Sequence, residues 1–499
     1  MSAEPGSPDA NELSLAQRSI RGALWNYGGA GVVIVGQLAY TALTARLISP
    51  AEFGAYATAQ ALLMLVGYLT LATVGNAIIR LPHVDRQIVG TGLMLSGGAG
   101  LAVALLVLVI AGPWADLWRS PGAETLLRLF APQVFLASLA IVPLALLRRS
   151  LRFRAASLIE TSSTLVGFAL GAAAAVALRD ANALVVGQVA NAALLLTLSA
   201  LATWSQLGLA WSRSWGRSLF SFSAQVSLQN LGHYVNNTLP SFAVSRTLGQ
   251  ASLGFFSRGT LLVGLPQTFL VQGISKTLYP IYPRFRDDER ESQRMMIDVV
   301  SVATTVIWPL FAVLAGLGPL VVRVLLGPDW TAVASIVGPL CLYAMANIAY
   351  SLFAPFAESY GYLRLIWVVQ ACWTTALVAA IGVAVFADAD MRAIVLVAVA
   401  VQIPVHGLQV VLLARRRVVD ALGTLRVELW SGMIAAIWYI AAMLTTHLVE
   451  SEALVLQIAA SSCVVALLIV GTWLALPLVP AGQALSARGI PIRLRRSPS

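Results

Sequence analysis

Polar side chains recur at one-turn spacing inside an apolar stretch near the middle of the chain. Residues 219–245 are mostly hydrophobic, yet an amide or imidazole occupies every fourth position at Gln225, Gln229, His233 and Asn237. Positions four apart share one face of a helix, so these side chains form a single polar stripe. Amides and imidazoles donate and accept hydrogen bonds, and a row of them suits a ligand rich in hydroxyl groups, such as a sugar. Hydrogen bonding between neighbouring helices is the alternative use of the stripe.

Five arginines are candidates for binding a ligand. Arg258 and Arg128 fall inside apolar stretches, where a charged side chain costs roughly 2.5–3.5 kcal/mol on insertion scales. Each is therefore expected to face a cavity or a charged partner, although extension to the membrane surface is an alternative. Arg46, Arg246 and Arg80 stand at the ends of such stretches. They suit the mouths of a cavity. A structural cap on the short outer turn explains Arg46 and Arg246 equally well, and the positive-inside rule explains Arg80 equally well.

Two acids are candidates for binding a coupling ion. Glu160 and Glu358 are the carboxylates placed to lie at membrane depth, and burial would favour the protonated form of either. Salt bridges to adjacent arginines are the preferred alternative. The sequence has no metal-ligand spacing, phosphate-binding loop or nucleophile elbow, so neither a cofactor nor an enzymatic activity is expected.

The segments that must position these residues are long enough to cross a membrane. A bilayer needs about 20 apolar residues per spanning helix. The sequence predicts an all-α polytopic membrane protein with 14 transmembrane helices, near residues 22–44, 54–76, 88–111, 125–147, 157–178, 182–204, 219–245, 251–275, 297–322, 331–357, 363–386, 393–414, 428–447 and 453–477.

The basic residues predict the orientation of these spans. Of the 32 Lys and Arg residues, 23 lie in the N-terminal segment or in the gaps after even-numbered spans, six lie in the other gaps, and Arg128, Arg258 and Arg364 fall within spans. Basic residues stay on the cytoplasmic side of a membrane. We therefore expect both termini to be cytoplasmic, with a polar segment over residues 1–21 and a basic tail over 478–499 of an inner-membrane protein.

The composition excludes a soluble enzyme. The chain is 58% hydrophobic and 11% charged, with a mean hydropathy of +0.81, and a soluble globule does not have this composition. The net charge of +10 is explained by inner loops that face anionic membrane lipids. Nucleic acid is not an expected partner.

An internal repeat predicts how the spans are grouped. Residues 45–56 (ARLISPAEFGAY) recur as residues 245–256 (SRTLGQASLGFF), and a second echo pairs residues 117–121 with 324–328. Each echo joins spans that are six apart, so both halves cross the membrane in the same direction. We expect two pseudo-symmetric six-helix lobes, 22–204 and 219–414, around a central cavity. Spans 13 and 14, within 428–477, would be an addition to the second lobe.

Several short motifs resemble those of one transporter family. Their order and spacing are similar to the polysaccharide transporters of the MOP superfamily, which are flippases for lipid-linked oligosaccharides. The resemblance extends from about Arg18 to at least Trp330. The motifs are 45–54 (ARLISPAEFG), 77–80 (AIIR), 147–154 (LRRSLRFR), 256–258 (FSR), 276–280 (KTLYP), Arg284 with 287–288 (DD), and 326–330 (LGPDW).

This resemblance implies a substrate and a direction of transport. It implies a carrier that moves undecaprenyl-diphosphate-linked oligosaccharides from the inner to the outer leaflet, for assembly of capsule, exopolysaccharide or O-antigen. On this interpretation Arg258 and Arg128 contact the diphosphate or an acidic sugar, Arg80 loads substrate at the inner side, and Arg46 and Arg246 receive it at the outer side. A polysaccharide polymerase and a chain-length regulator are candidate partners, in addition to membrane lipids.

Two other transport functions remain open. A lipid II flippase has the same number of spans, and only the character of the motifs separates it from the first interpretation. A cation-coupled multidrug exporter of the same superfamily typically has twelve spans and carboxylates in its first lobe. Here span 1 has no Asp or Glu between Arg21 and Pro50. A membrane polymerase or ligase would need a larger outer loop than any found here.

Overall fold

A computed structural model describes most of the chain. It covers the backbone of residues 10–69, 74–81, 83–208, 210–278, 288–449 and 452–475. Side chains are described within these ranges except at residues 10–27, 68, 69, 80, 214, 216–231, 269, 272–278 and 472–475.

The described residues form helices joined by short turns, and no strand occurs among them. The predicted all-α class is confirmed. The helices are α1 Ala10–Ala45, α2 Pro50–Leu69, α3 Val74–Arg80, α4 Arg86–Leu117, α5 Pro121–Arg149, α6 Phe153–Leu178, α7 Asn182–Thr203, α8 Arg213–Leu278, α9 Glu289–Gly316, α10 Gly318–Leu325, α11 Thr331–Ser359, α12 Leu363–Phe386, α13 Met391–Ala414, α14 Ala421–Leu448 and α15 Leu454–Ala475.

Eleven of the described helices are long and apolar enough to cross a membrane. They are α1, α4–α7, α9 and α11–α15, and many of their large apolar side chains face outward, as Phe386 and Val455 do. Exposed apolar surface on this scale is a membrane interface. The chain is a multi-pass membrane protein.

Two of the predicted spans differ in detail from single straight helices. The span predicted at 54–76 falls on α2 and α3, and residues 70–73 between them lie outside the described residues. The spans predicted at 219–245 and 251–275 lie within α8, which is interrupted at Gly249 by a φ of 83° and a ψ of −178°. Only glycine adopts this conformation readily, so α8 consists of two helical segments, 213–248 and 250–278.

The span predicted at 297–322 has the wrong boundaries, since the helix found there covers Glu289–Gly316. Its helix, α9, begins earlier because the Asp288 carboxylate accepts hydrogen bonds from the backbone N–H groups of Arg290 and Glu291, at 2.9 and 3.1 Å. This contact is an N-cap, which satisfies otherwise unpaired donors at a helix start. α9 ends at Gly316, and the short helix α10 follows after Leu317.

The described chain divides into two compact units. The first comprises residues 1–235 and 249–254, and the second comprises 236–248 and 255–499. In the first unit α5 packs against α4 and α7, and α6 packs against α7. In the second unit α11 packs against α9 and α13, and α12 packs against α13. These are the pairings that equivalent spans of a repeated six-helix pattern would make.

Two glycines allow a close helix crossing within the first unit. A Cβ atom added at Gly54 would lie 1.9 Å from the carbonyl oxygen of Gln250, and one added at Gly254 would lie 1.9 Å from the carbonyl oxygen of Pro50. Gly54 and Gly254 are equivalent positions of the sequence repeat, and so are Pro50 and Gln250. The reciprocal contact therefore joins the two copies of the repeated motif through equivalent atoms.

Arg149 closes one end of α3. Its Nη1 donates hydrogen bonds to the carbonyl oxygens of Ile78, Ile79 and Leu81, where α3 ends. The last carbonyls of a helix lack partners within the helix. A guanidinium that binds them therefore holds α3 against α5, which carries Arg149 at its own C-terminus.

We predict that Gly254→Ala lowers the amount of folded protein, because even a Cβ atom added there would lie 1.9 Å from the Pro50 carbonyl oxygen. Overpacking of this kind typically costs about 1–3 kcal/mol. Monodisperse protein after detergent extraction, and its melting temperature, measure the effect. Gly338→Ala is the matched control, because nothing lies within 4 Å of a Cβ added there. Equal yields and melting temperatures for the two variants would contradict the crossing.

We predict that Arg149→Ala reduces abundance, since the α3 carbonyls lose a charged hydrogen-bond donor worth about 1.5–3 kcal/mol. Quantitative immunoblotting of membranes measures this loss. Arg154→Ala removes a charge from the same 147–154 motif, on α6, and serves as the control. A loss of abundance in Arg154→Ala as large as in Arg149→Ala would assign the effect to charge and not to the α3 carbonyls.

Candidate functional site

The first unit contains a cavity of about 400 Å³ with three glutamines in its wall. Gln60 comes from α2, Gln133 from α5 and Gln188 from α7. The remaining lining residues are mostly apolar, namely Leu63, Met64, Val66, Gly67, Val134, Ala137, Ser138 and Ile141. Three amides that converge from three helices provide both donors and acceptors in an otherwise apolar space.

A tyrosine hydroxyl orients two of these amides. The Nε2 atoms of Gln60 and Gln188 both donate to the Tyr56 hydroxyl, at 2.7 and 3.3 Å. The Tyr56 ring packs against Phe130, with the ring centroids 5.9 Å apart. The amides are therefore held in place before any ligand arrives, which reduces the entropy lost on binding.

The second unit contains a cavity of about 260 Å³ between α8, α11 and α13. Its polar wall includes Asn236, Asn237 and Gln267 from α8. Asn236 is 1% exposed, and neither of its amide atoms has a hydrogen-bond partner among the described residues. Gln267 Nε2 donates to Asn347 Oδ1 at 2.9 Å. A buried amide without a partner costs about 1–3 kcal/mol, so a polar ligand at Asn236 would be stabilised.

Equivalent positions of the sequence repeat line the two cavities. Gln60, Leu63, Met64 and Gly67 of the first cavity correspond, 200 positions later, to Thr260, Val263, Gly264 and Gln267 of the second. The offset of the second echo, from Leu117 to Val324, likewise relates Gln133 to Leu340 and Gln188 to Val395. Each unit therefore builds its cavity from the same helical faces. The positions of the amide side chains differ between the two cavities. The first unit has them on α2, α5 and α7, and the second unit has them on α8.

The predicted polar stripe is only partly described. Asn237 lines the second-unit cavity, and His233 lies one turn before it with an exposed side chain. The side chains of Gln225, Gln229 and Arg80 lie outside the described residues. The stripe as a ligand-binding surface stays a prediction.

The four predicted arginines whose side chains are described, Arg46, Arg128, Arg246 and Arg258, line neither cavity. Arg258 is half-buried on α8, two positions from Phe256 and Thr260, and is not a lining residue. Arg128 is 62% exposed and pairs with Glu124 at 2.5 Å.

The repeat-related arginines lie beside the turns that they were expected to cap. Arg46 is exposed and donates through Nη1 to the Ala42 carbonyl oxygen at 3.3 Å. Arg246, its equivalent, is half-buried on α8.

The candidate ion-binding acids lie near the surface. Glu160 forms an ion pair with Arg148, and 37% of its side chain is exposed. Glu358 is exposed near the end of α11. The salt bridge considered for Glu160 is present, and a role in ion binding stays a prediction for both residues.

Three features of the site were missed by the sequence reasoning. Gln133 and Gln188 are single amides in apolar spans, and no spacing within one helix reveals them. The third feature is a pair, His406 and Glu428, whose Nε2 and Oε1 atoms are 2.8 Å apart. No short spacing in the sequence reveals this pair, because Glu428 lies 22 positions from His406 on the next helix. Among the described residues no three His, Cys, Asp or Glu side chains group as metal ligands would.

Solved structures of known transporters have a similar fold. The lipid II flippase MurJ, in an inward closed conformation, aligns with a TM-score of 0.68 at 12% identity, over 90% of this chain and 98% of that one. The MATE transporter VcmN of Vibrio cholerae aligns with a TM-score of 0.51 at 14% identity, over 81% and 97%. These alignments establish a shared fold.

Curated relatives are similar in sequence. The lipopolysaccharide biosynthesis protein WzxC of Escherichia coli is 23% identical over 67% of this chain and 68% of its own length. The succinoglycan biosynthesis transport protein ExoT of Rhizobium meliloti is 27% identical over 64% of this chain and 65% of its own length. The similarity thus covers about two thirds of each relative.

The family described as "Polysaccharide biosynthesis protein" matches residues 43–335. That stretch exceeds half of the chain, and it contains both copies of the repeated motif and the glutamine-lined cavity of the first unit. The predicted resemblance is confirmed: this chain belongs to that polysaccharide biosynthesis family, with the fold of the MOP-superfamily transporters.

Proposed function

We propose that this protein is a flippase that moves undecaprenyl-diphosphate-linked oligosaccharide repeat units from the inner to the outer leaflet of the cytoplasmic membrane. The products would serve the assembly of a cell-surface polysaccharide. The observation that carries this proposal is the amide-lined cavity in each unit, built from equivalent faces of a repeated helical pattern in a member of a polysaccharide biosynthesis family.

The chemistry of the cavities fits a glycan better than a hydrophobic cation. Gln60, Gln133 and Gln188 provide neutral donors and acceptors, which match sugar hydroxyl groups. Among the described residues no acid lines the first-unit cavity, and an acid would be the expected partner of a cationic drug. Both features favour a lipid-linked sugar over the substrates of a multidrug exporter.

Transport of such a lipid requires shielding only of its head group. A sugar diphosphate cannot cross hydrocarbon unaided, because a buried charge without a partner costs many kcal/mol. A polar route through the protein removes that barrier while the prenyl chain stays in the lipid. Arg258, half-buried on α8, remains our candidate for contact with the diphosphate. Alternating access between two six-helix lobes is the motion we propose for this route.

The membrane arrangement follows from the distribution of charge. We propose 14 spans, with the helices of 54–76, 219–245 and 251–275 added to the eleven helices that meet the length and apolarity criteria. Both termini would be cytoplasmic, since the basic gaps lie on that side. A polymerase and a chain-length regulator, which would receive the flipped unit, are the proposed partners.

A lipid analysis of a deletion strain tests the function. Loss of the flippase should leave a complete, unpolymerised undecaprenyl-diphosphate oligosaccharide in the membrane, because its synthesis on the inner leaflet continues. Mass spectrometry of extracted lipids would detect the intermediate and identify the glycan. Accumulation of lipid II instead would assign the chain to peptidoglycan synthesis. Unchanged lipid intermediates with intact surface polysaccharide would exclude both flippase functions.

We predict that Gln133→Leu reduces export at equal protein abundance. The variant removes one amide from the first-unit cavity, and a lost hydrogen bond of about 0.5–1.5 kcal/mol corresponds to a roughly two- to tenfold effect. Surface polysaccharide per cell in the complemented deletion strain measures export. Gln370→Leu makes the same chemical change at a buried position of α12 that lines neither cavity. Equal export by the two variants would remove Gln133 from the transport route.

A further inference from the structure

A buried acid and a buried imidazole join α13 to α14 inside the second unit. His406 Nε2 lies 2.8 Å from Glu428 Oε1, and the side chains are 11% and 14% exposed. The His406 ring also packs against Phe353, with the ring centroids 5.5 Å apart. Neither residue lines the cavity of this unit, and none of the transport steps argued above uses them.

Polar atoms without partners occur within about one turn of this pair along α13 and α14. Gln402, one turn before His406, is completely buried, and neither of its amide atoms has a hydrogen-bond partner in the described part of the chain. The same holds for His406 Nδ1, Gln409 Oε1 and the Thr424 hydroxyl. Each unpaired atom costs free energy in a membrane interior. So many unpaired polar atoms beside a titratable pair indicate a site that serves a purpose other than packing.

The pair is connected to the second-unit cavity along one face of α13. Ala398 lines that cavity, Gln402 follows four positions later, and His406 four positions after that, so all three share one helix face. Gln409 continues the face toward the end of α13 at Ala414, where three arginines follow. The face thus runs from the cavity to the basic inner end of the helix.

Other charged groups on the packed helices lie farther toward the surface. Asp298 on α9 is half-buried, whereas Arg294 on α9, Glu358 on α11, Arg364 on α12 and Arg426 on α14 are exposed. α15 carries no charged residue. Tyr350 on α11 is a buried phenol that packs on Trp373.

We propose that His406 and Glu428 form the proton-binding site of this transporter, a role that rests on the proposed flippase function. Neutral imidazole beside a carboxylate carries one negative charge. When a proton from water binds to either group, the pair becomes neutral overall, as imidazolium–carboxylate or as imidazole–carboxylic acid. A buried neutral pair is far less costly than a buried single charge. The site therefore holds its proton until the α13–α14 contact opens to water, which ties proton release to a movement of α13 beside the cavity.

Solid-state NMR of the full-length chain in lipid bilayers tests proton binding without any transported substrate. The chain has four histidines, so ¹⁵N-histidine labelling gives few signals, and the His406 signals are those missing from His406→Gln. We expect the ¹⁵N chemical shifts of the His406 ring to report a proton shared with the Glu428 carboxylate, and this signature to be lost in Glu428→Gln. Identical His406 ring signals in the wild type and in Glu428→Gln would overturn the proposal.

Export assays test whether the proton is coupled to transport. Glu428→Gln keeps the shape of the side chain but cannot bind or release a proton, and should lower surface polysaccharide at least tenfold at equal protein abundance. Glu452→Gln, at an exposed carboxylate, should retain export. Wild-type export by Glu428→Gln would overturn the coupling role. Because the NMR experiment needs no substrate, its result stands whether or not deletion of the protein blocks a flippase step.

Discussion

A polar group inside an apolar helical bundle must find a partner, and this constraint governs the arrangement of the molecule. A bilayer interior holds no water that could satisfy backbone or side-chain donors. The chain therefore crosses the bilayer as helices, whose backbone hydrogen bonds are internal. Side-chain amides have no such internal solution. Gln60 and Gln188 share the Tyr56 hydroxyl, and Gln267 uses Asn347. Where described polar atoms lack partners, as at Asn236 and Gln402, a ligand that hydrogen-bonds to them would be stabilised.

The repeat explains why such sites occur in both units. Duplicated helical faces place equivalent positions around equivalent spaces, and the two copies of the glycine motif approach within van der Waals distance at Gly54 and Gly254. Divergence then changed the chemistry of each copy. The first unit has glutamines where the second has Thr260, Leu340 and Val395. The two cavities therefore differ in which helices present polar groups.

Much of the architecture could be predicted from the sequence because it depends on properties of single segments. Apolar length predicted the helices, and the repeat predicted equivalent packing in the two halves. Boundaries were less accurate, since an N-cap at Asp288 and a left-handed Gly249 depend on local backbone geometry. The candidate site was harder. Gln133, Gln188 and the His406–Glu428 pair depend on contacts between helices, and Arg149 gains its role from the carbonyls of α3, 68 to 71 positions away.

The arginines illustrate the same limit. From sequence alone a charge within an apolar stretch points to a ligand, yet Arg128 is satisfied by Glu124 one turn away. An intramembrane charge with a local partner has no need of a substrate. The neutral amides, which attract less notice in a sequence, line the cavities instead.

Transfer of a lipid-linked sugar between leaflets is the most direct test of the proposed flippase function. Purified full-length protein would be reconstituted in liposomes with a fluorescent undecaprenyl-diphosphate trisaccharide, and a membrane-impermeant quencher would report the fraction in the outer leaflet over time. We expect the protein to accelerate equilibration of this lipid between the leaflets and to have no effect on fluorescent undecaprenol, which lacks a head group. Equilibration no faster than in protein-free liposomes would contradict the flippase function.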